Sequence, residues 1–255
     1  MPASSHILHT DAVVLRAIDY SESSRIVTLF TRDSGKMGVI AKGARSGKHR
    51  FGSTLEPMAY INAVIYCKSG RDLQNLTETT HIQTHESLRH SLERIEAGLR
   101  IVEFTNSVME VDQEQQDVFA LLVGTLAALE NAPARIGNVW LFFQLRMAFI
   151  LGFGPAFDRD VVNNMQVDAG FLDLKNGEIG ERPEEGQAPV RATRAALRAF
   201  AVLSRAQLGD IMRMELTTTQ MGEVSNLVTA YLKYHIEDAY PSRAAKVFAQ
   251  LDAPS

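Results

Sequence analysis

The spacing of hydrophobic residues changes near residue 80, and this change divides the chain into two structural classes. Before residue 80, short runs rich in β-branched and aromatic residues are separated by Gly, Ser and Asp, which is typical of strands joined by turns. After residue 80, apolar residues recur at intervals of three and four, as on one face of a helix. We therefore expect an α+β protein in which a β part precedes a helical part.

Five short strands are predicted in the β part. They cover residues 11–18, 24–31, 36–41, 58–66 and 73–80. Five strands in about 75 residues suit an OB-fold, a small five-stranded β-barrel. Cys67 is the only cysteine and lies in an apolar run, so we interpret it as a small core residue. A single cysteine excludes an intrachain disulfide and favours a reducing, cytoplasmic location.

The remaining chain is predicted to be an all-helical domain with one irregular insertion. Helical spacing is found at 88–102, 118–129, 138–151, 192–203 and 221–239. The third segment is apolar nearly all round and is expected to be the central helix of a bundle. Residues 152–191 are rich in Gly and Pro, and Phe171 and Leu172 could form a hairpin among these turns. The predicted domains are 1–80 and 81–255, and no signal peptide is evident at the N-terminus.

The charge is unevenly distributed along the chain. Residues 1–80 hold ten Lys or Arg and seven Asp or Glu, whereas the formal net charge of the whole chain is −4. Between Ser34 and Leu55 there are five cations and no acid, with three glycines interrupting the run and Phe51 following it. A flexible basic loop beside strands can hold a phosphate backbone, and it can equally be a solvated surface loop.

Known catalytic and metal-binding motifs do not fit this sequence. The spacing from Gly43 to Lys48 is one residue too short for a phosphate-binding P-loop, and His49 stands where that motif needs a hydroxyl. His81 and His85 lack the glutamate of a zinc protease, so we interpret them as surface histidines. Asp158 and Asp160 are weak candidates for a divalent ion, and no nucleophile elbow occurs. No catalytic residue, cofactor or metal is predicted.

Eight segments of the chain resemble segments of a known protein family and occur in the same order. They are residues 12–16, 20–27, 30–36, 41–45, 50–52, 56–57, 231–235 and 242–243, of which 41–45 is the most specific. Through these segments the chain resembles the RecO family of bacterial DNA repair proteins, which are recombination mediators. The N-terminal match carries the most motifs, whereas the middle of the chain matches mainly in its helix pattern.

The resemblance implies an N-terminal OB-fold, a helical domain and a set of partners. Members of the family bind single- and double-stranded DNA, anneal complementary strands and load recombinase onto strands coated by single-strand-binding protein. They act with RecR, in some lineages with RecF, and with the acidic, Phe-ended tail of single-strand-binding protein. Many members hold zinc with four cysteines in the region equivalent to 152–191. That region here has no cysteine or histidine, so no zinc is expected, and the loop is either held by packing and hydrogen bonds or mobile.

The cations of the N-terminal part are the predicted DNA contacts. They are Lys36, Lys42, Arg45, Lys48 and Arg50, and Arg25 joins them if its strand faces the binding groove. Gly43 and Gly47 would allow the backbone to approach DNA closely. Phe51 or Tyr20 would stack on a base or, alternatively, belong to the core. Base-edge reading is not expected, because a mediator must accept any sequence.

Two other functions remain open at this point. OB-folds also bind RNA, and charge alone does not separate RNA from DNA. An enzyme whose site is assembled from distant residues of the helical domain is the third hypothesis. Paired acids, or a histidine beside a nucleophile in a pocket, would favour that enzyme.

Overall fold

The computed structural model of the chain describes residues 5–46, 51–157, 159–186 and 188–236. The described residues form two compact units that divide between Glu130 and Asn131. Two predicted DNA contacts, Lys48 and Arg50, lie outside the described residues, as does the family-like segment 242–243. Each unit is described by itself.

The first unit begins with five strands at the places where the sequence predicts them. They are β1 (Ser5–Tyr20), β2 (Ser24–Thr31), β3 (Gly35–Ala41), β4 (Tyr60–Lys68) and β5 (Leu73–Gln83). The strand β1 is twice as long as predicted, and β5 continues three residues past the expected change of period. The additional residues at the start of β1 and at the end of β5 pair with β4, a tertiary contact that cannot be predicted from the local sequence.

The five strands form a closed barrel in the order β1-β2-β3-β5-β4. The strand β1 closes it, because one edge pairs with β2 and the other with β4. All neighbouring pairs are antiparallel except β3 with β5, which is parallel. Closure pairs every strand on both edges over at least part of its length, which reduces the edge available for edge-to-edge aggregation.

Alternate residues of the strands fill the barrel interior. The fully buried members include Val14, Val27, Leu29, Ile61 and Ile65. Cys67 belongs to the same cluster, which confirms its predicted core role, and burial raises the pKa of its thiol. Phe51 is 4% exposed and packs in this core, so of the two roles left open for it the structure selects the core.

Two helices follow the barrel within the first unit. They are α1 (Leu92–Val108) and α2 (Gln116–Asn131), and α1 packs against β1. The side chain of Ser91 caps α1 by accepting from the backbone N–H of Arg94. Leu92 occupies the first turn of α1 and is 61% exposed. The helix α2 ends at Asn131, close to the end of the predicted helical segment 118–129.

The second unit contains five helices. They are α3 (Ile136–Ile150), α4 (Arg159–Asn164), α5 (Arg194–Arg205), α6 (Leu208–Ile211) and α7 (Thr218–Ile236). Most side chains of α3 are buried, and α3 contacts α5, α6 and α7, which confirms its predicted central place. The hydroxyl of Tyr231 on α7 donates to the carbonyl of Phe153 at 2.7 Å, and burial raises the pKa of Tyr231 to about 12.

The segment predicted to be irregular contains a three-stranded sheet. The strands are β6 (Ala169–Asp173), β7 (Ile179–Gly180) and β8 (Pro189–Thr193), in the order β7-β6-β8. The β6–β7 hairpin includes Phe171 and Leu172, as predicted. Asp173 is 3% exposed, and its Oδ1 accepts from the backbone N–H groups of Lys175 and Ala188. This carboxylate joins the two ends of the loop by hydrogen bonds.

The two histidines at the end of the barrel are not both surface residues. His81 lies in β5 and is half-buried, and its Nε2 is 3.0 Å from the hydroxyl of Ser53. His85 is 8% exposed, and neither ring nitrogen has a hydrogen-bond partner. The interpretation of His85 as a surface residue is therefore wrong, because its side chain is buried within the first unit. Among the described residues no three His, Cys, Asp or Glu side chains are grouped to hold a metal ion.

None of the helices within the described ranges combines the length and apolar character needed to cross a bilayer. The apolar α3 owes its composition to its place inside the second unit.

Replacing Gly35 with Ala is expected to destabilise the first unit more than a matched glycine change. Gly35 has a φ of +67°, and an added Cβ would lie 1.9 Å from the carbonyl oxygen of Gln113. Gly70 has a φ of +77° with no atom within 4 Å of such a Cβ. Gly70→Ala should therefore cost only the backbone penalty of about 1–2 kcal/mol, and Gly35→Ala clearly more. Urea unfolding measures both, and equal losses would contradict the close contact.

Acidification is expected to destabilise the first unit through His85. Burial is the largest cause that lowers the pKa of His85, with His81 and Arg89 acting in the same direction and Glu130 opposing them. The unfolded chain then binds more protons just below pH 6.5, so this stability is complete above about pH 6.5 and declines as the pH falls. His85→Leu should flatten the dependence of the unfolding free energy on pH between about 5 and 7. The exposed His90→Gln variant is the control, and an unchanged slope in His85→Leu would refute the assignment.

Candidate nucleic-acid interface

The outward-facing side of the barrel carries a row of apolar side chains. Cross-strand pairing aligns one residue from each of four neighbouring strands: Ile18, Ile26, Ile40 and Asn75. Their strand neighbours, such as Val27 and Val39, are fully buried in the barrel core. Since successive side chains of a strand point to opposite faces, the row lies on the outside. Ile18 is 42% exposed, which is unusual for a side chain of this type on a sheet.

A β-bulge in β1 determines which residues join this row. Val14 pairs with Leu29, but Arg16 pairs with Thr28, so Leu15 is an additional residue on β1. Without the bulge Arg16 would point into the barrel, like Val14. With the bulge, Arg16 points outward beside Ile18.

Arg16 and Tyr20 flank the apolar row on β1. Arg16 is exposed and has no hydrogen bond or ion pair with any described residue. Tyr20 pairs with Ser24 and is 51% exposed. We call Ile18, Tyr20, Ile26, Ile40 and Leu73 the outer apolar face; Leu73 is 37% exposed and pairs with Gly38 next to the row.

Helices of the first unit cover the opposite end of this side of the barrel. The ring of Phe30 lies 6.2 Å from that of Phe119 on α2. The ammonium of Lys36 donates to the carbonyl oxygen of Asn106 on α1 at 2.8 Å, and burial lowers the pKa of Lys36. Lys36 thus anchors β3 to α1, and it is not an unoccupied cation beside the outer apolar face.

Arg25 lies at the mouth of the barrel within a group of acids. It has the inward orientation of Val27, and its guanidinium contacts Asp19 and Glu56 at 3.0 Å each. The hydrogen bond to Glu56 is the main cause that raises the pKa of Arg25. Its strand therefore does not direct it onto the outer apolar face, the condition on which its prediction as a DNA contact depended.

Arg45 joins the same group from the turn after β3. Its Nε is 3.3 Å from Asp19, and its Nη1 donates to the carbonyl oxygen of Ser21 at 2.9 Å. Two cations and two carboxylates meet here, so Arg25 and Arg45 are compensated locally by Asp19 and Glu56. The contact with Ser21 fixes the β3 turn against the β1–β2 hairpin.

Lys42 extends the outward orientation of Ile40 beyond the end of β3. It is exposed and makes no hydrogen bond or ion pair with another described residue. The turn that carries it is closed by Gly43, with a φ of +74°, whose carbonyl accepts from the hydroxyl of Ser46 at 2.7 Å. The contribution of Gly47, Lys48 and Arg50 lies outside the described residues.

Sequence reasoning missed Arg16 and the apolar row. The alternation of apolar residues in β1 is visible in the sequence, but the bulge reverses it at Leu15. A prediction that assumes a regular strand therefore directs Arg16 into the barrel, like Val14. The sequence placed the three isoleucines in strands but did not predict which side of the sheet they point to, since register depends on tertiary pairing. A signal was present in the sequence, because Arg16 interrupts an otherwise apolar run.

This side of the barrel is suited to binding and offers no obvious reaction chemistry. An apolar surface with one exposed aromatic ring can contact bases, while flanking cations contact phosphates. Of the predicted DNA contacts, Arg25 and Arg45 lie together at the mouth of the barrel. Lys42 lies at the edge of the outer apolar face, and Lys36 lies apart from these three residues.

Comparison with known proteins identifies relatives over nearly the whole chain. Residues 5–85 match the family model "Recombination protein O N terminal", and residues 89–244 match "Recombination protein O C terminal". The DNA repair protein RecO of Salinibacter ruber is 48% identical over 98% of this chain and 96% of that protein. The DNA repair protein RecO of Anaeromyxobacter dehalogenans is 33% identical over 88% of this chain and 89% of that protein.

A more distant relative agrees with these two. The DNA repair protein RecO of Chlorobium limicola is 28% identical over 96% of this chain and 98% of that protein. The resemblance inferred from segments such as 41–45 is thereby confirmed. Because both family models match in order and a relative close to half identical spans almost the full length, the chain belongs to the RecO family of DNA repair proteins.

Proposed function

We propose that this protein is a recombination mediator in DNA repair that binds single- and double-stranded DNA without sequence specificity. The observation that carries the proposal is the outer apolar face flanked by Arg16 and Lys42, two exposed cations without described partners. In this proposal the barrel is an OB-fold nucleic-acid-binding domain of residues 1–80, and residues 81–255 form the domain that meets proteins.

Bases of a single strand would lie on the outer apolar face. Tyr20 offers a ring on which a base can stack, and the isoleucine row offers a flat apolar surface that any base can cover. Arg16 and Lys42 lie on either side of this surface and would each contact a phosphate. Such contacts are independent of sequence, because stacking and phosphate binding do not read base edges.

The cations predicted from the sequence would contribute unequally. Lys42, Lys48 and Arg50 belong to the basic run and are proposed as phosphate contacts. Arg45 of the same run, Arg25 and Lys36 are proposed as weaker contributors, because Arg25 and Arg45 already pair with carboxylates and Lys36 already donates to a carbonyl. Arg16 is added to the proposed phosphate contacts because it lies beside the isoleucine row.

Strand annealing follows from charge neutralisation without a catalytic residue. Two complementary strands repel each other through their phosphates, and cations that bind both lower this repulsion and raise the local strand concentration. We accordingly propose a binding protein and not an enzyme. Besides DNA, the proposed partners are RecR, in some lineages RecF, and the C-terminal tail of single-strand-binding protein. With them the protein would help to load recombinase onto coated strands in the cytoplasm.

Removing cations beside the outer apolar face is expected to reduce the salt dependence of DNA binding. Each lost phosphate contact should lower the slope of log K against log salt by about 0.7 for a single strand. Lys42→Ala combined with Arg45→Ala should therefore lower the slope by about 0.7 to 1.4, because Arg45 is partly compensated by Asp19, and Arg16→Ala should lower it by about 0.7. Fluorescence anisotropy with a labelled oligonucleotide over a salt series gives these slopes, and Lys175→Ala, a change of an exposed lysine in the second unit, is the control.

The same titrations separate the proposed function from its alternatives. Addition of the complementary strand at low salt should give faster duplex formation with the wild-type protein than with Lys42→Ala combined with Arg45→Ala. Preference for an RNA strand of the same sequence would favour RNA binding instead. A slope that stays unchanged in the folded variants would remove these residues from the interface.

Replacing Tyr20 with Ala is expected to weaken single-strand binding without changing the salt slope. Loss of one stacked base costs about 1–3 kcal/mol, which is about a fivefold to hundredfold loss of affinity. Tyr66→Ala is the matched control, because Tyr66 is 40% exposed and pairs with Ile7 of β1, away from the row. Equal losses in the two variants would show that the outer apolar face does not hold the bases.

A further inference from the structure

Four charged side chains meet at the mouth of the barrel, next to the outer apolar face. We call Asp19, Arg25, Arg45 and Glu56 the mouth cluster. Asp19 stands between Ile18 and Tyr20 on β1, and successive side chains of a strand point to opposite sides. The two arginines of the mouth cluster therefore lie within reach of the phosphates of a strand whose bases cover the outer apolar face.

One carboxylate of the mouth cluster holds both arginines. Its two oxygens are divided between them, since Oδ1 of Asp19 lies 3.0 Å from Nε of Arg25 and Oδ2 lies 3.3 Å from Nε of Arg45. Glu56 adds a second contact to Arg25, at 3.0 Å from its Nη1. Guanidinium groups bind carboxylate and phosphate oxygens in the same geometry. The two acids therefore occupy positions that the oxygens of a phosphate would take.

Arg45 is positioned by the backbone as well as by Asp19. Its backbone N–H donates to the carbonyl of Ser23 at 3.0 Å, and its Nη1 donates to the carbonyl of Ser21 at 2.9 Å. Both carbonyls belong to the hairpin between β1 and β2, and neither carries a net charge. Loss of the Asp19 carboxylate would therefore leave the guanidinium of Arg45 in place with its charge uncompensated.

The ion pairs of the mouth cluster are open to solvent. The side chains of Arg45 and Asp19 are 40% and 53% exposed, and that of Glu56 is 50% exposed. Exposed pairs are weak, because water competes for both partners and holding two long side chains in one geometry costs entropy. A nucleic-acid backbone competes well for such an arginine, since each phosphate contact also releases condensed counterions. Exchange of a carboxylate for a phosphate is therefore favoured at low salt.

We propose that Asp19, together with Glu56, acts as an internal substitute for phosphate that withholds Arg45 and Arg25 from DNA and so limits the affinity of the barrel. The inference rests on the proposed function and adds to it two residues that oppose binding. A phosphate of the bound strand competes with Asp19 for Arg45, and Asp19 recovers Arg45 when the strand leaves. Asp19 and Glu56 act on DNA only through the arginines, so they are positioning residues.

A purely structural role of the mouth cluster leads to the opposite expectation. If its ion pairs served only to fix the turn after β3, removal of the Asp19 carboxylate would loosen Lys42 and Arg45 and weaken DNA binding. If they withhold charge, the same removal strengthens binding, because the contact with Ser21 still holds the side chain of Arg45. The direction of the change in affinity therefore separates the two roles.

The test compares the salt dependence of single-stranded oligonucleotide binding in the full-length wild-type protein and in carboxylate variants. Asp19→Asn should steepen the slope of log K against log salt by about 0.7, the contribution of one additional phosphate contact. At about 0.1 M salt this corresponds to about fivefold tighter binding. Asp19→Asn combined with Glu56→Gln should steepen the slope by about 1.4, because Arg25 is then released as well. Asp19→Glu should stay close to wild type, since the carboxylate remains.

Glu22→Gln is the matched control, because Glu22 is an exposed acid of the same hairpin with no hydrogen bond or ion pair to a described residue. It removes the same charge without releasing an arginine. A second comparison introduces Asp19→Asn into a protein that already carries Arg25→Ala and Arg45→Ala. The gain in affinity should vanish there, because it depends on those two side chains.

Equal gains in Asp19→Asn and Glu22→Gln, or a gain that persists without the two arginines, would assign the effect to general charge and overturn the proposal. Unchanged or weaker binding by Asp19→Asn, shown to be folded by circular dichroism melting, overturns it as well. The proposed function survives that result if Lys42→Ala still lowers the slope in the same assay. Absence of salt-dependent binding by the wild-type protein removes the proposed function and this inference together. Glu56→Gln alone, outside the hairpin, should change the slope in the same direction by a smaller amount and serves if Asp19→Asn does not fold.

Discussion

The double pairing of β1 is the interaction on which the barrel depends. This strand is hydrogen-bonded along one edge to β2 and along the other to β4, and it closes the sheet. Closure buries Val14, Val27 and their neighbours in one core. The strand also contacts α1 and continues into the hairpin at Ser21. The bulge at Leu15 changes the face of the strand between Val14 and Arg16.

The bulge has a functional consequence that a regular strand lacks. It turns Arg16 and Ile18 outward, where Ile18 continues the row of Ile26 and Ile40 across the sheet. Bulges next to binding sites often redirect a side chain in this manner. The β1 members of the outer apolar face therefore depend on the bulge. Exposed Ile18 and Tyr20 carry a cost in water, which is consistent with a surface kept for a ligand.

Local charge compensation separates cations that look alike in the sequence. Arg25 and Arg45 share Asp19, and Glu56 completes a group of two positive and two negative charges. Ion pairs of this exposure contribute little to stability, but they do reduce the charge offered to a phosphate. Lys42 has no such partner among the described residues, so its charge lies free beside the outer apolar face.

The second unit shows how a loop without metal ligands is held. The buried carboxylate of Asp173 accepts backbone N–H groups from two distant points of the insertion, and the short sheet of β6, β7 and β8 completes it. Hydrogen bonds to an ionised carboxylate are stronger than neutral ones, so one buried aspartate can fix both ends of a loop. No sequence pattern indicated that Asp173 would hold the loop, because an isolated Asp in a Gly-rich segment is equally typical of a solvated turn.

Sequence by itself determined the order of strands and helices, the core place of Cys67, the central position of α3 and the family. These follow from hydrophobic period and from local segments such as 41–45, which act over a few residues. Only the tertiary structure decided that Phe51 is core, that His85 is buried, that Arg25 and Lys36 are already engaged, and that Arg16 faces outward. The physical reason is that burial, ion pairing and strand register depend on residues far apart in the chain. A single bulge at Leu15 reverses the face of every residue after it, and no local pattern determines where such a bulge will form.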